Sequence, residues 1–161
     1  MKLRLLTLSV LLCVISLSLD AQNVRQKTRI NNGWTFSLDG NAATEEISLP
    51  HDWTVGLPFD QAAESGNAFK RIGSVWPENS TGWYHKSIVI PASDEGKRIA
   101  LQFDGVSHKY QLFINDIPAG SSDGGFRSDI FDITEYINWD KENRISVKIN
   151  ASENISGTYI G

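Results

Sequence analysis

The stretch from Arg98 to Gly125 constrains the fold more than any other part of the chain. Ile99, Leu101 and Phe103 alternate with Arg98, Ala100 and Gln102, the period-2 pattern of a strand with one buried face. Tyr110, Leu112 and Ile114 repeat the pattern after Asp104-Gly105, so two consecutive strands turning at that dipeptide are expected to form a central pair. Asn115-Asp116 then offers two residues that tolerate the left-handed conformation of a tight hairpin, and Ile117-Pro118-Ala119 is a short extended return. These elements belong in the middle of an antiparallel sandwich whose other strands the flanking sequence must supply.

The flanks supply them. Trp34, Phe36 and Leu38 alternate with Thr35 and Ser37 up to Asp39-Gly40, and Ile47-Ser48-Leu49 is extended as far as Pro50. Trp83 to Ile90 reads as a strand with Tyr84, Ile88 and Ile90 on one face, and Asp94-Glu95-Gly96-Lys97 is a turn. Phe126 to Ile133 is a further strand, Thr134 to Ile137 a single helical turn capped by Thr134 or Asp132, and Ile145, Val147 and Ile149 mark the last strand. Short strands at regular turns with no long helix predict an all-β fold, an antiparallel β-sandwich. Strand order does not follow from spacing. Between Thr54 and Gly82 no period survives, and a structureless insertion of that length in a compact domain points to a functional or docking loop.

Residues 1–21 read as a leader outside the fold. Lys2 and Arg4 precede an apolar run from Leu5 to Leu19, and Ala21 suits the last position before cleavage, which predicts a secretory signal peptide and a secreted or periplasmic protein. The run is shorter than the roughly 20 residues that span a bilayer. A lipoprotein signal is the weaker reading, because Cys13 follows Val10-Leu11-Leu12 rather than a small residue and comes early in the apolar run. Cys13 is the one cysteine of the 161 residues, so the exported chain, residues 22–161, has neither disulfide nor thiol chemistry and must rely on its core. Removing Lys2, Arg4 and Asp20 from 15 basic and 19 acidic side chains leaves a net charge of about −5, which argues against nucleic acid or an anionic membrane as partner.

Candidate site residues each carry a plainer reading. His51-Asp52 resembles a general-base pair or the start of a metal site, but neighbours on an extended segment point to opposite faces. Pro50 fixing the chain, Trp53 packing and the polar pair bonding backbone is the better account. No two of the histidines 51, 85 and 108 have metal-ligand spacing, and no metal or cofactor is expected. Asp123, Asp129 and Asp132 are oxygen ligands of the kind calcium takes, against solvated loop carboxylates and a helix cap. Of the five tryptophans, Trp34 and Trp83 sit on strands and are expected in the core, whereas Trp53 and Trp139 stay open. Trp76, beside Pro77 in the long loop, is the best candidate for contact with a sugar or another domain.

Seven segments together carry a resemblance: Trp34-Thr35-Phe36, Leu49-Pro50-His51-Asp52-Trp53, Gly82-Trp83-Tyr84-His85-Lys86, Leu101 to Val106, Phe113-Ile114-Asn115-Asp116, Phe131-Asp132-Ile133-Thr134 and Asn143 to Val147. In this order they resemble the N-terminal sugar-binding domain of family 2 glycoside hydrolases, and the Leu-Pro-His-Asp-Trp form is most similar to secreted β-galactosidase-like members. The resemblance implies a jelly-roll or galactose-binding-like antiparallel β-sandwich that is followed, in the family, by an immunoglobulin-like domain and a barrel with two catalytic glutamates. Retaining glycoside hydrolysis needs two carboxyl groups about 5–5.5 Å apart. In the family both lie in the barrel, so no carboxylate here inherits either role and the chain alone is expected to be inactive. Its expected partners are a galactoside-type glycan and the other domains of its own enzyme. The family's loop after the last strand lends a polar side chain to the sugar pocket, which by position implicates Asn150, Glu153 or Asn154. The chain departs from the family with His85 in place of Arg and Asp116 in place of Gly. Two alternatives remain open: a stand-alone carbohydrate-binding module, and a surface sandwich with a protein ligand.

Overall fold

Antiparallel pairing organises the computed structural model, which describes residues 25–38, 44–125 and 127–152. Its strands are β1 (Trp34–Leu38), β2 (Glu45–Ile47), β3 (Thr81–Val89), β4 (Ala100–Phe103), β5 (Lys109–Ile114), β6 (Ile117–Ser122), β7 (Asp129–Asp132) and β8 (Glu142–Asn150). Six of them form one sheet in the order β2-β1-β3-β8-β5-β6, and β4 and β7 form a second, two-stranded sheet. The residues predicted as leader, 1–21, lie outside the described residues.

Alternation decides which side chains meet. Trp34 and Phe36, Tyr84, Tyr110, Leu112 and Ile114, and Ile145, Val147 and Ile149 all project from one face of the large sheet into the core. Leu101, Phe103, Phe131 and Ile133 cover them from the small sheet. A fully buried Leu or Ile side chain contributes roughly 1.5–3 kcal/mol, so this face supplies most of the stabilisation. Gly82 lies against the core aromatics, where a Cβ would sit 2.8 Å from the Phe36 ring.

The hairpin at Asn115-Asp116 forms as expected. Both residues have positive φ, 53° and 65°, as a type I′ turn requires, and they join Ile114 to Ile117. Asp116 therefore accepts a conformation that glycine would adopt at lower cost. The central pair does not form. β4 pairs with β7, and β5 lies between β6 and β8, so the segment from Asp104 crosses from one sheet to the other. The helical turn appears as a 3-10 turn over Thr134–Tyr136, with the Asp132 carboxylate accepting from the Thr134 N–H at 3.1 Å and its hydroxyl at 2.6 Å.

Asn143 is the polar exception inside the core. Its amide, fully buried, donates to the carbonyls of Asn138 and Lys141 and accepts from the Asn138 N–H and the Asn115 amide, all within 2.8–3.0 Å. One side chain thus ties the start of β8 to the β5–β6 hairpin and to the turn before β8.

Trp83 is not in the core, contrary to expectation. It precedes Tyr84, which takes the inward position, so Trp83 must project from the outer face. There it stacks beside His85 and meets Phe113, with Lys148 Nζ 5.1 Å from the indole centroid. Beneath them Ser146 is buried, its hydroxyl 2.8 Å from His85 Nδ1, and the Arg144 guanidinium lies 3.3 Å from the same nitrogen. Burial first, and then Arg144, holds the His85 imidazole below its ordinary value near 6.5.

Two outcomes follow for stability. Asn143→Ala leaves buried main-chain and amide groups unpaired and is expected to cost about 2–3 kcal/mol in urea unfolding; a parent-like midpoint would refute the tie. His85 folds neutral, so its contribution is present in full above pH 6.5 and is lost as the pH falls from there through the lower folded-state value. The melting temperature should accordingly fall further between about pH 7.5 and about pH 5.5 in the parent than in His85→Gln.

Candidate functional site

The segment between β2 and β3 is ordered by its own polar bonds, which its sequence pattern concealed. The Asp52 carboxylate accepts from the N–H and hydroxyl of Thr54, opening a 3-10 turn over Trp53–Gly56. Trp53 is buried and donates its indole N–H to the Asn79 carbonyl at 2.9 Å, which pins the far end of the segment to its start. Lys70 reaches the carbonyls of Val55 and Leu57 at 3.0 and 2.7 Å and lies 4.0 Å over the Phe59 ring. Asp60 pairs with Arg71 at 2.9 Å; the Ala62 N–H and then Arg71 hold its carboxyl below the ordinary carboxylate range. Ser80, buried at the base, accepts from the Gly73 N–H at 2.8 Å while its hydroxyl lies 2.7 Å from the Trp76 carbonyl.

Alongside exposed polar residues such as Gln61, Glu64 and Ser74, this loop also holds large apolar side chains outward. Val55 and Phe59 are each 72% exposed, Val75 67% and Phe69 48%. Ala68 and Phe69 hold φ of 49° and 57°, a conformation that costs a side chain with a Cβ and that places the Phe69 ring on the surface.

The predicted site residues divide between this loop and the end of β8. Trp76 is half-buried, directly before the 3-10 turn Pro77–Asn79. Asn150 is exposed at the end of β8, opposite both Thr81 and Lys109, and its side-chain oxygen accepts from the Ser152 N–H at 2.8 Å. The Ala151 N–H bonds the Ser80 carbonyl at 2.8 Å, so Asn150 stands at the base of the loop that carries Trp76. Glu153 and Asn154 lie outside the described residues.

Sequence reasoning missed a cleft of about 360 Å³ between the two sheets, lined by Trp34, Trp53, Tyr84 and Val147 on one side and by the run Gln102 to Ser107 on the other. His51 reaches into it with Nδ1 2.9 Å from the Tyr84 hydroxyl, a side chain where a backbone partner was expected; Asp52 does take the backbone. Burial, and then the Asp52 charge, pushes that hydroxyl above its ordinary range. Hydrogen bonds from Gln102 and Ser128 hold the Asp104 carboxyl low at the rim. Among the described residues, Ser107 Oγ and His108 Nδ1 are buried without a hydrogen-bond partner.

The acidic residues considered for calcium are engaged by hydroxyl and guanidinium groups, Asp123 and Asp129 sharing Arg127. Asp129 accepts from the Tyr110 hydroxyl and Arg127, Asp132 from Thr134 and Arg98, and Asp123 faces Arg127 at 3.9 Å. Among the described residues no cluster of three His, Cys, Asp or Glu side chains could hold a metal. No helix among them is long and apolar enough to cross a membrane. Trp139 packs against the core from its edge.

Comparison with known proteins gives this arrangement its context. Residues 22–161 match the family described as glycosyl hydrolases family 2, sugar binding domain. The chain is 32% identical over 148 residues to the β-galactosidase BoGH2A of Bacteroides ovatus, covering 85% of this chain and 17% of that protein. It is 32% identical over 146 residues to a β-glucuronidase of Bacteroides fragilis, covering 89% and 19%. Among solved structures, a glycosyl hydrolase family 2 member from Bacteroides cellulosilyticus superposes with a TM-score of 0.67 at 29% identity, over 77% of this chain and 17% of that one. The chain thus spans less than a fifth of the length of the curated relatives it matches. The β-sandwich and the family model agree, and the chain belongs to glycoside hydrolase family 2 as a sugar-binding domain of that family.

Proposed function

We propose that this chain is the non-catalytic N-terminal domain of an exported, β-galactosidase-like family 2 glycoside hydrolase. It docks on the catalytic part of its own polypeptide through the loop before β3. The observation that carries this reading is the ordered loop that exposes Val55, Phe59, Phe69 and Val75. Large apolar side chains held out on an ordered loop gain little from water and much from being covered by another protein surface.

The substrate is a glycan with a terminal β-galactoside, by likeness to the B. ovatus relative. Hydrolysis is assigned to carboxylates elsewhere in the longer protein. The domain completes the sugar pocket from one side, with Asn150, Glu153, Asn154 and Trp76 the contributing residues. Export follows from cleavage after Ala21, which delivers the protein to the periplasm or beyond.

The full-length polypeptide is expected to hydrolyse an aryl β-galactoside faster than the matching β-glucuronide, and residues 22–161 alone to hydrolyse neither. Replacing Val55 and Phe59 together by serine should lower its kcat/KM by about tenfold or more while the β-sandwich melts as before. Unchanged kinetics in that variant would refute docking through the loop. Unchanged kinetics in Asn150→Ala, Glu153→Ala, Asn154→Ala and Trp76→Ala would remove these residues from the pocket. Preference for the glucuronide would correct the substrate.

A further inference from the structure

Basic residues gather at the start of the described chain, in a protein that is net acidic. Arg25, Lys27 and Arg29 fall at alternate positions, all three are exposed, and the first carboxylate after them in sequence is Asp39. Two of them are brought to one point. The Gln102 side-chain oxygen accepts from the Arg25 guanidinium at 3.4 Å and from the Lys27 ammonium at 3.2 Å. The nitrogen of the same amide donates to the Asp104 carboxylate at 2.6 Å, and the Ser128 hydroxyl donates to that carboxylate at 3.2 Å. The amide is thereby held with its oxygen towards the cations.

Two cations on one uncharged acceptor leave positive charge over. Among the described residues, Arg25, Lys27 and Arg29 have no carboxylate within ion-pair distance. Asp104 feels Lys27 and Arg29 only at longer range. Its bonds from Gln102 and Ser128 first, and then those two charges, hold its carboxyl below the ordinary carboxylate range. Three positive side chains thus stand against one carboxylate that is already bonded twice. A guanidinium presents a fork of N–H donors and an ammonium three, of which one amide oxygen can take only a small part. What suits the remainder is a compact anion with several acceptor oxygens.

We propose that Arg25, Lys27 and Arg29, with Gln102 at their base, form an anion subsite that takes a carboxylate or sulfate ester carried on a glycan. None of these residues belongs to the loop before β3 or to the end of β8, so the subsite is separate from the surfaces assigned above. Membership of a sugar-binding family makes a glycan the carrier. Charge points the same way. Nucleic acid or an anionic membrane spreads its charge over a surface far wider than the screening length of about 8–10 Å, and so meets the repulsion of the whole acidic domain. A substituent on a slender glycan chain meets the three basic side chains alone. Each exposed contact contributes little, so an acidic glycan would be held by several made together along the chain.

Affinity electrophoresis of the full-length polypeptide tests this, with polygalacturonate, a sulfated galactan or a neutral galactan cast in the gel. Replacing Arg25 and Lys27 together by glutamine should weaken retention by the acidic glycans about tenfold or more and flatten its fall with added salt. Retention by the neutral galactan should not change. Gln102→Glu is the sharper variant, because it supplies a carboxylate from within. It should draw both cations into ion pairs, melt no lower than the parent and lose acidic-glycan retention to the same degree. Gln111→Glu, which places an equal charge on β5, should lose none. If the cations serve only to anchor the start of the chain, Gln102→Glu strengthens the anchor and leaves retention as it was, which overturns the inference. Equal losses in Gln102→Glu and Gln111→Glu, or an equal loss on neutral galactan, overturn it too. Retention abolished by inorganic sulfate at the concentration of the glycan's own carboxylates gives the site to a free ion. Sedimentation with phosphatidylglycerol vesicles in place of glycan retention gives it to a membrane, and either result rejects the glycan.

Discussion

The molecule depends on covering the inner face of its six-stranded sheet. Trp34, Phe36, Tyr84, Leu112, Ile114, Ile145, Val147 and Ile149 make that face apolar over the breadth of β1, β3, β8 and β5. Two short strands cannot roof so wide a surface. β4 and β7 cover the part above β5 and β8, bringing Phe131 so close to β6 that a side chain at Gly120 would collide with its ring. The part above β1 and β3 is covered instead by Trp53 and Ile72, carried in by the loop before β3. That loop is a piece of the roof as well as a surface feature, and its order follows from the tryptophan it must hold in place.

Burying apolar surface on this scale constrains the polar groups near it. Asn143 survives at the core because all its hydrogen-bonding capacity is used at once, on two separate pieces of chain. Lys86 shares the inward phase of β3 with Tyr84 and Ile88, and its ammonium escapes to the Asn32 carbonyl at 2.6 Å beyond the sheet. On the outer face the small hydroxyl of Ser146 lets Trp83, His85 and Phe113 close over β8. In each place the identity of the residue answers to what remains of water's reach.

These cases also separate what alternation reveals from what it does not. The period-2 pattern found β1, β3, β5 and β8 and, where Asn and Asp accept positive φ, the β5–β6 turn, because both are properties of local chain geometry. It misjudged the relation of β4 to β5, since a period reports which face of a strand is buried and says nothing about which strand lies alongside. Trp83 was misplaced for a different reason. Its place on a strand argues for the core, yet its neighbour Tyr84 holds the inward phase, so the alternation itself contains the answer. The loop before β3 carried no period because its order comes from lysine, aspartate and tryptophan bonds across many residues. The cleft was invisible for the same reason, being a property of two sheets of unequal width. Family motifs named the domain, but Asn150 alone of the three residues implicated at the end of β8 falls where its surroundings are described.

The exposed loop and the open cleft beside β4 are two consequences of one shortage. A domain of this size ordinarily buries its apolar excess within itself, and the roof here is too narrow to do so. The largest share of the excess is at the loop, where Phe59 and Phe69 are held out by a backbone that is bonded elsewhere, with Val89, Ile117 and Ile130 exposed on the strands and Phe103 lining the cleft beside β4. A self-sufficient binding module would have every reason to close both, because open strand edges and apolar patches invite aggregation. On the proposed reading the rest of a longer polypeptide covers the exposed loop, and the stability of this sandwich and its docking on that polypeptide become one physical problem.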